Sequence, residues 1–200
     1  MADVDRAPGG PDEALDWAHA HTLGELGELT ARWLEGTIPH QPAWEGTRPD
    51  AETEPLVPVL AALNRAGFVT HYSQSGMALA SGTGRQRAAV SGFGSELLLR
   101  RLPDASLGTD LVCLVYPPGG RLDGLRIPIS YSEGVAGTWA GAEMRPEDIR
   151  EFYGPACHRD AVEALLGAWQ ATVIDPRWGR NDLLWDWLRD TVCTPGGPDR

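Results

Sequence analysis

Apolar positions along this chain switch repeatedly between helical and strand spacing. Leu26, Leu29 and Trp33 recur at a helical period just after Thr22, and Glu25 three residues beyond that threonine predicts a capping box and a helix starting there. Gly36 and Pro39 are expected to end it, and residues 37–51, broken by Pro39, Pro42, Gly46 and Pro49, read as irregular. Leu56, Val59, Leu60 and Leu63 share one face of a second helix over about Thr53 to Ala66, with Gly67 as its stop. Phe68 to Tyr72 reads as a strand, Ser73 to Gly84 as a loop, Gln86 to Phe93 as a second strand, and Ser95 to Leu102 as a helix. The apolar run Leu111 to Tyr116 predicts a buried central strand, and Leu125 to Tyr131 a further strand after a Pro-Pro-Gly-Gly turn. Pro146 to Phe152 and Arg159 to Trp169 read as helices and Ala171 to Ile174 as a strand; Asn181 is placed to cap a last helix carrying Leu184, Trp185 and Leu188. Helices and strands in this order predict an α/β fold, a mixed β-sheet covered by helices.

Composition narrows the setting. Two hundred residues with 42% hydrophobic content and eight Trp suit one core. The organisation expected is a loose or disordered lead over 1–21, one domain over 22–192 and a tail over 193–200. A formal charge of -11 disfavours a nucleic-acid partner, which needs a basic face to displace counterions, and suits a cationic ligand. All 17 basic residues are Arg, which reads as genome composition and not as a phosphate site. Cys113, Cys157 and Cys193 are odd in number and lack Cys-x-x-Cys spacing, so neither a disulfide framework nor a metal site is expected of them. No apolar run reaches the ~18 residues of a membrane span, and the acidic start lacks signal-peptide order. A cytoplasmic, membrane-free protein is expected.

The densest chemistry lies between residues 50 and 74, D-A-E-T-E-P-L-V-P-V-L-A-A-L-N-R-A-G-F-V-T-H-Y-S-Q. Glu52 and Thr53 open the second helix, and Thr70 and Ser73 lie on the strand that follows. This stretch resembles the S-adenosylmethionine-binding regulatory domain that follows the catalytic barrel of eukaryotic methylenetetrahydrofolate reductases. The likeness continues through Gln86-Arg87-Ala88-Ala89 with Gly92-Phe93, then Thr138-Trp139-Ala140, and ends in the strand and Trp-containing helix from Val173 to Trp185. It implies a stand-alone domain, without the barrel, that binds S-adenosylmethionine or S-adenosylhomocysteine through Glu52, Thr53, Thr70, Ser73 and Thr138. The same resemblance implies that the domain can associate as a homodimer.

Each of these residues has a plainer local reading. Glu52 complements a helix dipole, Thr70 is a β-branched strand former and Ser73 a turn residue. The ligand, with its ribose diol, adenine edge and sulfonium cation, calls for hydroxyls, a carboxylate and little positive charge, and Glu52 suits the ribose. Thr70 and Ser73, three apart, fall on opposite faces of a regular strand, so a shared ligand requires the chain to turn at Tyr72. His40 and His71 are the candidate bases, with surface exposure and a structural role as the alternatives. Trp44, Trp139 and Trp178 could stack on adenine or face the sulfonium, core packing being the default. Cys157-His158 is read as a coincidence of neighbours.

A Rossmann methyltransferase would show its glycine triad after the first strand, and the only Ser-Gly-Thr-Gly here precedes a strand. A folate reductase would need a barrel for which there is no room. Zinc-hydrolase spacing such as H-E-x-x-H is absent, and no metal is expected. The leading expectation is a ligand sensor or regulatory module; the alternative is an S-adenosylmethionine-dependent enzyme, most simply a small-molecule methyltransferase.

Overall fold

The computed structural model describes residues 16–44, 46, 48–78, 84–120 and 126–194. The first helix, α1 (Leu23–Leu34), starts at the expected box: Thr22 Oγ1 accepts from Glu25 N at 3.2 Å, and Thr22 N donates to Glu25 Oε2 at 2.9 Å. The folded chain begins before this helix, because Trp17 and Ala20 are buried. Of the expected lead, residues 1–15 lie outside the described residues, as do residues 195–200 of the expected tail, while Cys193 packs against the core.

After the irregular segment, a 3-10 turn at Glu54–Leu56 leads into α2 (Val57–Arg65). The chain then forms β1 (Val69–Gln74), β2 (Met77–Ala78), β3 (Gly84–Gln86) and β4 (Ala89–Gly94), followed by α3 (Glu96–Leu99) and α4 (Arg101–Ser106). Next come β5 (Val112–Tyr116), β6 (Ile127–Pro128), β7 (Ser130–Ser132), β8 (Val135–Ala136) and β9 (Trp139–Ala140). The last elements are α5 (Pro146–Tyr153), α6 (Arg159–Leu166), β10 (Trp169–Ile174) and α7 (Leu183–Leu188), which runs on into a wider π-type turn at Arg189–Cys193. No helix among the described residues is long and apolar enough to cross a membrane.

The expected α/β architecture, a sheet covered by helices, is present, but the described strand pairings are antiparallel and not mixed, since the order of helices and strands in the sequence does not fix strand direction. The main sheet has the order β1-β4-β10-β5. Strand alternation sends Val90, Ala171 and Val173 to one face, where α2, α3, α4 and α7 supply Leu60, Leu63, Leu99, Leu102 and Leu184. Val69 and Phe93 face the other way, against Leu26 and Leu29 of α1, Ile149 of α5 and Leu165 of α6. Farther along that second face, Ala89 and Ile174 meet Ile129 and the β6–β9 ribbon.

Several expected elements come out differently. The run at 111–116 is an edge strand and not a central one, since an apolar run does not encode its neighbours; β4, buried at all six positions, holds an interior place. The single strand expected over Gln86–Phe93 is two, because the chain changes sheets at Arg87 and Ala88, where Arg87 N donates to Ile129 O. Helix 95–102 breaks into α3 and α4, helix 159–169 stops at Leu166, and Trp169 already belongs to β10. Asp182 caps α7 in place of Asn181, whose Oδ1 accepts instead from Gly76 N and Trp185 Nε1.

Helices α1 and α2 approach through Gly27. A Cβ at that position would lie 2.4 Å from the carbonyl oxygen of Asn64. Alanine favours a helix over glycine by about 1 kcal/mol. Overpacking against backbone costs about 1–3 kcal/mol and should win. Gly27→Ala is therefore expected to lower unfolding stability in urea; a gain would mean that the two helices part without penalty.

Candidate ligand site at the first strand

Strand β1 carries the site because its ladder is irregular. It pairs Thr70 with Gly92 and Tyr72 with Ser91, so the register shifts at His71. One extra residue reverses the alternation and brings Thr70 and Ser73, three apart, to the same cavity. The turn expected at Tyr72 is thus a bulge one residue earlier.

Thr70 is held by Asn64 at the end of α2. Asn64 Oδ1 accepts from Thr70 N at 2.9 Å, while Asn64 Nδ2 donates to Thr70 Oγ1 and to Leu60 O, both at 2.8 Å. With one lone pair of Oγ1 taken by Asn64, the Thr70 hydroxyl proton is left to donate elsewhere.

The cavity has a volume of about 60 Å³ and lies between β1, the end of α1 and the irregular segment before α2. Thr53, Thr70 and Ser73 line it, with Trp33, Gln41, Trp44 and Asp50 around them. Thr53 makes no side-chain capping bond, although it precedes the 3-10 turn, so its buried hydroxyl remains for the cavity. Trp33 Nε1 and Gln41 Oε1 are buried with no hydrogen-bond partner among the described residues, a donor and an acceptor in the same lining. Such orphans are costly unless something occupies the space beside them. Trp33 and Trp44 meet at 6.2 Å between ring centroids, tilted by 57°. Among the described residues no Arg lines the cavity, which disfavours an anionic ligand and suits a neutral or cationic one.

Glu52 is not in that lining. The carboxylate there is Asp50, two residues earlier and exposed at the mouth; Glu52 stands close enough to Tyr72 to help burial keep its phenol protonated. Thr138 lines a second, open concavity of about 470 Å³, along with Ser91, Trp139 and Arg126. This concavity and the cavity share His71 and Tyr72. Trp44 and Trp139 border the two spaces, but Trp178 is elsewhere, beneath the guanidinium groups of Arg85 and Arg87 at 4.7 and 4.0 Å from its ring. His40 is exposed and outside both linings; its backbone oxygen accepts from Trp17 Nε1 at 2.8 Å. Asp50, Trp33, Gln41 and Asn64 were not signalled by the sequence, beyond the place of Asp50 and Asn64 within the same 50–74 stretch.

His71 divides the two spaces, its ring 5.2 Å from that of Phe93. Burial pushes its pKa down from 6.5 to about 4, so it is neutral at physiological pH and a weak base.

A family model described as a domain of unknown function, DUF6919, matches residues 12–194. The chain belongs to that family. No curated protein matches the chain. Both the cavity and the open concavity lie within the DUF6919 match, as does every helix and strand described above.

The His71 shift gives the DUF6919 fold a testable pH dependence. Below pH 6.5 the unfolded chain binds a proton at His71 that the folded chain refuses until about pH 4. Stability should therefore fall as pH drops through that window, by about 2 to 3 kcal/mol from this group between about pH 7 and 4.5. Denaturant unfolding of the wild type and His71→Gln at both pH values checks it: the variant should lose clearly less, and parallel losses would show that His71 titrates normally.

Proposed function

We propose that this DUF6919 chain binds S-adenosylmethionine and S-adenosylhomocysteine and acts as a ligand sensor. The carrying observation is the convergence of Thr53, Thr70 and Ser73 on one cavity lined also by the exposed Asp50 and by Trp33, whose Nε1 has no hydrogen-bond partner among the described residues. In this reading Asp50 takes the role the sequence gave to Glu52, accepting from ribose hydroxyls, while Trp44 offers its face to the sulfonium. A pocket for a ligand of this size runs to about 300 Å³ or more. The cavity therefore takes only one end, and the open concavity beyond His71 and Tyr72, with Thr138 and Trp139, takes the rest.

The open concavity also favours a second reading, methyl transfer to a small molecule seated there. The weak basicity of His71 counts against it for any acceptor that must lose a proton to a strong base. The sensor reading asks nothing of that histidine.

Calorimetry with S-adenosylhomocysteine should give a micromolar Kd, roughly 8 kcal/mol. Asp50→Asn should weaken it by about ten-fold, the scale of a lost charged hydrogen bond, whereas Glu52→Gln should leave it nearly unchanged. Absence of heat and of any thermal shift with either ligand at about 1 mM would remove the proposal. Release of S-adenosylhomocysteine from S-adenosylmethionine during incubation with cell extract would move the assignment from sensor to transferase.

A further inference from the structure

At the other end of α1 from the cavity, His21, His158 and Asp160 meet where the segment before α1 lies beside the start of α6. One donor atom from each lies within 4.8 Å of the others. His21 Nδ1 is 3.0 Å and His158 Nδ1 3.6 Å from the same Asp160 oxygen, and the imidazole centroids are 3.9 Å apart. Tetrahedral ligands with bonds of about 2.0–2.1 Å to zinc stand roughly 3.4 Å from one another, and the two measured spacings bracket that value.

The three groups sit on fixed backbone. His158 N donates to Trp17 O at 3.1 Å, and Trp17 is part of the core. His21 N donates to Glu25 Oε2 at 2.8 Å, within the capping box of α1. Among the described residues, the bond an ion at the Nδ1 atoms would displace from His158 is a long one, 3.2 Å from Asp160 N. His21 hydrogen-bonds Asp160 and His158 Nδ1 caps α6 by accepting from Asp160 N, and the two contacts together leave both Nδ1 atoms beside one carboxylate oxygen.

We propose that His21, His158 and Asp160 bind a divalent transition-metal ion of the zinc class, tying the segment ahead of α1 to α6. Two imidazole nitrogens and one carboxylate suit zinc, nickel or copper over magnesium or calcium. Side chains that are 50%, 40% and 62% exposed leave the remaining positions to water. The neighbouring Cys157 does not belong to the set of converging donor atoms. The site is independent of the ligand cavity. Sequence spacing could not show it, because His21 and Asp160 are 139 positions apart.

The test uses the untagged full chain, stripped with a chelator, titrated with zinc chloride by calorimetry and with cobalt(II) by visible absorption. One ion per chain should bind in the micromolar range, and the cobalt complex should lack a thiolate charge-transfer band. His21→Gln and His158→Asn, the latter keeping a capping acceptor, should each weaken zinc by about ten-fold or more. Cys157→Ser and His19→Ala should leave it unchanged. Failure to bind at about 1 mM zinc overturns the site, as does binding that survives both histidine substitutions or is lost in Cys157→Ser.

Discussion

The side-chain amide of Asn64 is the constraint on which the rest of the site depends. Strand β1 lies at the edge of its sheet, so alternate backbone N–H groups face away from β4 and need another acceptor. Asn64 supplies one to Thr70 N and uses its own N–H groups on Thr70 Oγ1 and Leu60 O, while fully buried. An apolar side chain in its place would strand a buried donor at a cost of about 1–3 kcal/mol. That is a large share of the 5–15 kcal/mol typical of a domain. The same residue's carbonyl oxygen faces Gly27, so the contact that seats α1 on α2 and the contact that orients Thr70 pass through a single position.

Surface charge does little of this work. Arg65 reaches both Glu28 and Glu35 of the α1 region, yet these groups are 35–41% exposed, where an ion pair contributes about 0–1 kcal/mol. The apolar residues shared by the two helices outweigh it: Leu34, Leu60 and Leu63 are buried in the same cluster, each contributing about 1.5–3 kcal/mol. The helix pair therefore depends on burial and on the Gly27 approach, and the arginine sets orientation at most.

What could be read from the sequence follows from how local each determinant is. The capping box at Thr22, the stop at Gly67 and the apolar faces of α1 and α2 depend on residues within a turn or two of one another, and they match the structure. The bulge at His71 depends on pairing with β4, about twenty residues away, so the alternation of β1 alone separates two residues that the fold brings together. Asp50 and Glu52 belong to one short run, and only the packing of the irregular segment decides which carboxylate reaches the cavity. Nothing near residue 111 states that its strand will lie at an edge, and nothing near His21 refers to His158.

The two sides of the cavity are built to different standards, and this decides how a ligand would enter. The strand side is fixed by the Asn64 bonds, the β1–β4 ladder and the buried core behind Val69, so moving it breaks backbone pairing. The opposite side is formed by Gln41, Ala43, Trp44, Pro49 and Asp50, which belong to no helix or extended strand; its described attachments include the bridge between Gln41 and Trp44, the bond from Trp17 Nε1 to His40 O and that from Thr53 N to Asp50 O. Each of those described bonds is worth about 0.5–1.5 kcal/mol, whereas opening the strand side breaks several buried bonds together. In the reading proposed above, one end of the ligand would enter from that side past Trp44 and Asp50, while Thr70 and Ser73 keep their places on the strand. On that proposal the strand side would hold its hydroxyls in fixed positions, and the exposed Trp44 and Asp50 would be the first groups a ligand meets.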